Sequence, residues 1–172
     1  MFVKENTQMN NRDMAAALFN IATILRERQD NPYRIRAYER GARALMACRE
    51  DAPRVLSQGN TRLRRRPGVL GDKLQRKLRE LAVAGRMEFY DELCETLPAP
   101  VAALMQVPGV GPKTAAHVHD ALGIATPQQM VRAARTGQLQ SVWGFGEKRT
   151  GAIAQLTLFD EALPDAAQPH AA

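Results

Sequence analysis

A recurring glycine turn is the feature of this sequence that most constrains its fold. It occurs three times, as PGVLG at 67–71, VPGVGPK at 107–113 and VWGFGEK at 142–148. Each copy stands between a short apolar segment and a segment whose apolar residues recur at helical spacing. The sequence therefore predicts three units of helix, tight hairpin and second helix.

Such a turn needs glycine for two reasons, a positive φ angle and a close approach of its backbone to another surface. The hairpin leaves unpaired amides where the second helix begins, and the helix dipole is positive there. A DNA phosphate fits this position, so we predict contacts that are salt-dependent and indifferent to base sequence. The predicted DNA contacts are Gly71, Gly109, Val110, Gly111, Lys113, Thr114, Gly144, Gly146, Lys148 and Arg149.

Trp143 stands inside the third turn. An exposed indole stacks well on a nucleobase. A tryptophan beside a hairpin glycine is more often a core residue, however, because its large apolar surface favours burial. The sequence therefore predicts that Trp143 packs in the core.

The rest of the chain also favours helices, since alternating, β-branched segments typical of a sheet are missing. The predicted fold class is all-α, a helical N-terminal domain followed by a tandem helix-hairpin-helix domain. Pro98 and Pro100 indicate the junction between them. The predicted ranges are a disordered start at 1–10, the first domain at 11–96, the second at 97–157 and a disordered tail at 158–172.

The composition of the chain indicates which classes of partner and ligand it can bind. The net charge of +6 suits a polyanion such as nucleic acid. Cys48 and Cys94 stand far apart without the spacing of a zinc site, so no metal site is predicted. A membrane span is not expected either, and the predicted location is cytoplasmic, in association with the nucleoid.

The order of these motifs resembles a known family. The run NPYRIRAY at 31–38, then Arg40, Ala42 and Leu45, then the hairpins ending in WGFGEK, is similar to the N-terminal part of bacterial family X DNA polymerases. The resemblance covers about residues 11–155 and implies a lyase-type helical domain followed by a fingers-like hairpin domain. Because members of this family commonly hold a monovalent cation at hairpin carbonyls, the resemblance also implies such a cation here; no other cofactor is expected.

Two departures from the family pattern matter. The polymerase palm, with its metal-binding aspartates, and the phosphoesterase domain do not fit in the residues after Phe159. We therefore expect no polymerase activity from this chain. The first turn carries one residue more than the family's usual turn, which places phosphate capture at Gly71 in question.

The resemblance also implies a catalytic site. Family members with deoxyribose-phosphate lyase activity use a lysine after the first hairpin to form a Schiff base with the sugar aldehyde. Lys77 matches that nucleophile, Lys73 matches a 5′-phosphate contact, and Arg34 and Tyr38 match residues that line the pocket. Like charges at Lys73 and Arg76 are predicted to lower the pKa of Lys77.

Three functional interpretations remain open at this point. The first is a DNA repair or replication accessory protein that holds duplex, nicked or gapped DNA. The second is a stand-alone deoxyribose-phosphate or abasic-site lyase that uses Lys77; against it, Lys73 and Lys77 are typical of a solvated basic pair. The third is a protein-interaction module whose hairpins only pack helices.

The segment QLTLF at 155–159 matches Gln-Leu-x-Leu-Phe, a peptide by which many bacterial DNA-processing proteins dock on the replication sliding clamp. An extended peptide with leucine and phenylalanine anchors suits a preformed apolar groove. The predicted clamp-binding residues are Gln155, Leu156, Leu158 and Phe159. The alternative is that these apolar side chains pack back on the last helix.

Overall fold

The computed structural model describes residues 9–58, 70–157 and 159. Within these ranges the chain forms helices and no strand, which confirms the predicted all-α class. No helix in the described ranges is both long and apolar enough to cross a bilayer. The α-helices are α1 (Asn11–Glu27), α2 (Pro32–Met46), α3 (Ala52–Ser57), α4 (Asp72–Ala84), α5 (Glu88–Glu95), α6 (Ala99–Leu104), α7 (Pro112–Leu122), α8 (Pro127–Arg135) and α9 (Glu147–Ala154), with a 3₁₀-helix at Gln138–Ser141.

Local capping explains where several helices begin. At α1 the Asn10 side chain accepts the Asp13 amide at 3.1 Å, and the Asp13 carboxylate accepts the Asn10 amide at 3.0 Å. Asn31 caps α2 by accepting the Tyr33 amide at 2.9 Å. Because such caps satisfy amides that the helix itself leaves unpaired, these starts are determined by nearby sequence.

The described residues divide into two compact units, one within Met1–Pro98 with Gly111–Lys113 and one within Ala99–Val110 with Thr114–Ala172. In the first unit α1 packs mainly on α2, and α3 packs on α4. The core side chains of this unit include Met14, Leu18, Ile21, Leu25, Ile35, Ala42, Leu45, Leu56, Leu78 and Leu81. Helix α5 also packs against α1.

Gly41 in the middle of α2 permits a close approach of leucine side chains. A methyl group added at Gly41 would lie 2.7 Å from Cδ2 of Leu74 and 3.1 Å from Cδ1 of Leu18. The missing side chain at Gly41 therefore leaves room for the Leu74 and Leu18 side chains to pack against the backbone of α2.

In the second unit α8 packs on α9 and on the 3₁₀-helix. A capping box begins α8, since the Thr126 hydroxyl accepts the Gln129 amide at 3.2 Å and the Gln129 side chain accepts the Thr126 amide at 3.2 Å. The core side chains of this unit include Leu104, Val107, Val110, Val118, Met130, Val131, Leu139, Val142, Phe145 and Ile153. The second and third turns lie at the edge of this core.

Candidate nucleic-acid interface

The third hairpin has the geometry that its sequence predicts. Val142 and Phe145 are each 3% exposed and anchor the turn in the core. The Phe145 amide donates to the Val142 carbonyl at 3.1 Å, which closes the turn. Between them Gly144 has a φ of +91°, a conformation that other residues adopt only with strain.

Helix α9 begins with amides available to a ligand. The amides of Arg149 and Thr150 donate to the Gly146 carbonyl at 3.1 and 3.0 Å. In the described part of the chain, the amides of Gly146, Glu147 and Lys148 donate to no group. All three residues are exposed, and Gly146 has no side chain that could cap the helix. The start of α9 therefore has the form of an anion-binding site.

The second hairpin repeats this turn. Its Val110 amide donates to the Val107 carbonyl at 3.0 Å, both valines are buried, and Gly109 is exposed with a φ of +78°. Lys113, in the first turn of α7, is exposed, and Thr114 beside it is half-buried. The two hairpins thus present an exposed glycine turn followed by an exposed lysine in equivalent positions.

Gly111 differs from the other hairpin glycines. Within the first unit, a methyl group added at Gly111 would lie 2.6 Å from Oδ1 of Asn20. The backbone of Gly111 therefore already approaches a protein side chain closely. A substitution at this position would disturb that contact as well as any ligand.

Arg149 joins the second and third hairpins. Its Nη2 donates to the Gly109 carbonyl at 2.8 Å, and its Nη1 donates to the Gly144 carbonyl at 3.2 Å. The guanidinium carbon also lies 4.4 Å from the centre of the Phe145 ring. Burial lowers the pKa of Arg149, but a guanidinium stays charged in proteins. The side chain thus links Gly109 and Gly144, the positive-φ glycines of the second and third hairpins. Its predicted DNA contact stays a prediction.

Arg149→Ala is expected to lower the free energy of unfolding by about 1–2 kcal/mol, because it removes two charge-assisted hydrogen bonds and a cation–π contact. Thermal unfolding followed by circular dichroism measures the change. Lys148→Ala is the matched control, since this neighbouring side chain is exposed and its loss should cost no more than about 0.5 kcal/mol. Equal stability of the two variants would show that Arg149 does not hold the hairpins.

The prediction that Trp143 packs in the core is wrong. Its side chain is 88% exposed. Val142 and Phe145 fill the interior side of the turn, so the residue between Val142 and the positive-φ glycine lies on the outer side. The identity of a hairpin residue does not reveal which side of the turn it occupies.

The first hairpin is described only in part, since residues 67–69 lie outside the described ranges. Gly71 is exposed and precedes α4, and its carbonyl accepts the amides of Leu74 and Gln75 at 2.9 and 3.0 Å. The Gln75 side chain donates to the Leu70 carbonyl at 2.7 Å. A phosphate contact at Gly71 stays a prediction.

The first unit brings three of the four predicted lyase residues together around Phe89, a residue that is not among those predicted from the sequence. Nζ of Lys77 lies 4.0 Å from the centre of the Phe89 ring, and the guanidinium carbon of Arg34 lies 4.7 Å from it. The Tyr38 ring stacks on Phe89 with a centroid separation of 6.0 Å. We call Arg34, Tyr38, Lys77 and Phe89 the Phe89 cluster.

The environment of the cluster shifts two pKa values. Burial lowers the pKa of Lys77; Glu80 opposes this effect, and the positive charges of Arg34 and Arg76 add to it. The predicted direction is therefore found, but burial is a larger cause than the neighbouring charges. Burial also raises the pKa of Tyr38. Lys73 is exposed on α4, one turn before Lys77, and its phosphate contact stays a prediction.

Several carbonyls of the second and third hairpins already have hydrogen-bond donors within the protein. The carbonyls of Gly109 and Gly144 accept from Arg149, and those of Val107 and Val142 accept from amides within their turns. No group of three His, Cys, Asp or Glu side chains in the described ranges is placed to hold a metal ion. A monovalent cation at a hairpin stays a prediction.

The predicted clamp-binding segment follows α9. Gln155 is exposed at the end of the helix, and the half-buried Leu156 has its carbonyl 3.2 Å from Nη2 of Arg135. Leu158 lies outside the described residues, and Phe159 is half-buried. Binding to a sliding clamp stays a prediction.

Two comparisons with known proteins agree with the hairpin geometry. Residues 101–155 match the family described as SAM-like helix-hairpin-helix tandem. The chain is also 25% identical over 147 residues to the DNA polymerase/3′-5′ exonuclease PolX of Bacillus subtilis (strain 168). This alignment covers 86% of the chain, which spans about a quarter of the relative's length. The chain therefore contains a tandem helix-hairpin-helix region related to PolX, as the resemblance in its sequence predicted.

Proposed function

We propose that this chain binds DNA through the phosphate backbone, without reading base sequence, as an accessory protein of DNA repair or replication. The observation that carries the proposal is the start of α9, where the exposed residues Gly146, Glu147 and Lys148 have amides that donate to no group in the described part of the chain. The relationship to PolX supports the link to DNA repair or replication.

If the second and third hairpins bind the same DNA backbone, the distance between the two turns must stay constant. Arg149 supports this, because one guanidinium donates to a carbonyl in each turn. Lys113 and Lys148 are exposed beside their turns and add positive charge. Amides and ammonium groups recognise phosphate oxygens, which are the same in every sequence, so duplex, nicked and gapped DNA all present suitable ligands.

The test is fluorescence anisotropy of labelled DNA at several salt concentrations, with two duplexes of equal length and unrelated sequence. We expect the same affinity for both. If about four phosphates are neutralised, the affinity should fall roughly 100-fold between 50 and 200 mM salt. Absent or salt-insensitive binding would instead favour a protein-interaction module whose hairpins only pack helices.

The Phe89 cluster supports a second function, that of a deoxyribose-phosphate lyase. Lys77 lies against Phe89 with Arg34 on the same ring, and its lowered pKa increases the fraction of free amine. That amine would attack the sugar aldehyde and release water to form an imine. Loss of a C2′ proton then breaks the C3′–O bond, and hydrolysis of the imine returns the amine.

A further inference from the structure

We propose that Trp143 stacks on an unpaired nucleobase beside the phosphate at the start of α9. The third hairpin would then favour gapped or single-stranded DNA over intact duplex. This inference rests on the proposed binding of the DNA backbone. It adds that the third hairpin distinguishes unpaired bases from paired bases.

The exposure of Trp143 is the first observation. At 88% it is the highest among the exposed large apolar side chains of the described residues. Covering an exposed indole with another flat apolar surface is favourable, because both surfaces are then removed from water. Stacking on a base supplies that surface and tolerates any base, because every base has a π face.

The rigidity of the turn is the second observation. The hydrogen bond from the Phe145 amide to the Val142 carbonyl closes the turn, and Arg149 holds the Gly144 carbonyl. Val142 and Phe145, the two residues that this hydrogen bond joins, are both buried. The backbone that carries Trp143 is thus ordered before a ligand arrives, which reduces the entropy lost on binding.

The third observation is the chemistry beside the indole. Trp143 lies only a few residues before Gly146, Glu147 and Lys148 in the chain. The amides of these three exposed residues donate to no group in the described part of the chain. These amides suit a phosphate, and we expect the base of the same or the next nucleotide to reach the indole. The Glu147 carboxylate disfavours a second phosphate here but not a neutral base.

The state of the DNA then decides the affinity. In a duplex each base is already stacked and paired, and exposing one costs a few kcal/mol. A base in a gap or a single strand is free of most of this cost. Trp143 should therefore add affinity for gapped and single-stranded DNA and add little for intact duplex.

Trp143 is the only tryptophan in the chain, so the fluorescence of the protein reports directly on this side chain. Labelled duplex, nicked, gapped and single-stranded DNA would be titrated while DNA anisotropy and indole emission are measured in the same samples. We expect strong quenching by gapped and single-stranded DNA and weak quenching by duplex. Trp143→Ala should lose about 10-fold in affinity for gapped DNA and little for duplex, whereas Trp143→Phe should keep most of it.

The two signals separate the possible failures. If DNA binds by anisotropy but emission does not change, or if Trp143→Ala weakens every DNA equally, the stacking proposal is wrong and the backbone-binding proposal survives. If no DNA changes the anisotropy, both proposals are wrong. If Trp143→Ala loses helical content by circular dichroism, Trp143→Gln is measured in its place. The stacking proposal then requires that Trp143→Gln weaken binding to gapped DNA more than binding to duplex.

Discussion

Gly146→Asp is expected to lower the affinity for DNA about 10- to 100-fold without weakening the fold. The φ and ψ angles of Gly146, −73° and 171°, suit an aspartate at a helix N-cap, and an added Cβ meets nothing within 4 Å. The new carboxylate would accept the amides at the start of α9 and place a negative charge at the proposed phosphate site. The range corresponds to the loss of one charge-assisted contact, about 1.5–3 kcal/mol.

The matched control is Gly151→Asp, which adds the same charge to the same helix at another exposed position with open space around the Cβ. Affinity by DNA anisotropy and the midpoint of thermal unfolding would be measured for both variants. We expect Gly146→Asp to unfold at the same temperature as the original chain or slightly higher, since aspartate is a good N-cap. Equal losses of affinity in the two variants would mean that the start of α9 is not the phosphate site.

Lys77→Arg is expected to reduce borohydride trapping on DNA with an abasic 5′ end about 100-fold or more. Arginine keeps the positive charge and the contact with Phe89 but forms no Schiff base, so DNA binding should change little. Lys73→Arg is the control, because the same replacement at this exposed lysine keeps the charge for phosphate contact and should leave trapping nearly unchanged. Persistent trapping in Lys77→Arg would exclude Lys77 as the nucleophile.

The pH dependence of trapping gives an independent measure. Only the neutral amine attacks the aldehyde, so the rate should rise with pH as Lys77 loses its proton. Because burial lowers the pKa of Lys77, this rise should occur below the pH at which an ordinary lysine titrates. If the original chain is not trapped at any pH, the lyase proposal is wrong while the DNA-binding proposal stands.

Much of the fold was predictable because its signals are local. The all-α class follows from apolar spacing within each helix, and the caps at Asn10 and Asn31 involve residues two or three positions apart. The hairpins are equally local, since Gly109 and Gly144 adopt positive φ angles for reasons contained in their own turns. The predicted disordered ends lie largely outside the described ranges, so their disorder stays a prediction.

The candidate sites were predictable only in part. The resemblance to family X polymerases pointed to Arg34, Tyr38 and Lys77, and the first unit brings these residues together. Phe89 gave no comparable signal, because an aromatic residue in a helix is usually a core residue. Its central place depends on the packing of α5 in the first unit.

The amino-acid sequence alone determined the described helices, the second and third glycine turns and the lysines that follow them, because each depends on chain neighbours. Tertiary structure decided that Trp143 faces solvent and that the guanidinium of Arg149 reaches the carbonyl of Gly109, far away in the chain. Side-chain direction and long-range hydrogen bonds depend on how separate elements pack in three dimensions. Neither is encoded in the spacing of residues along the chain.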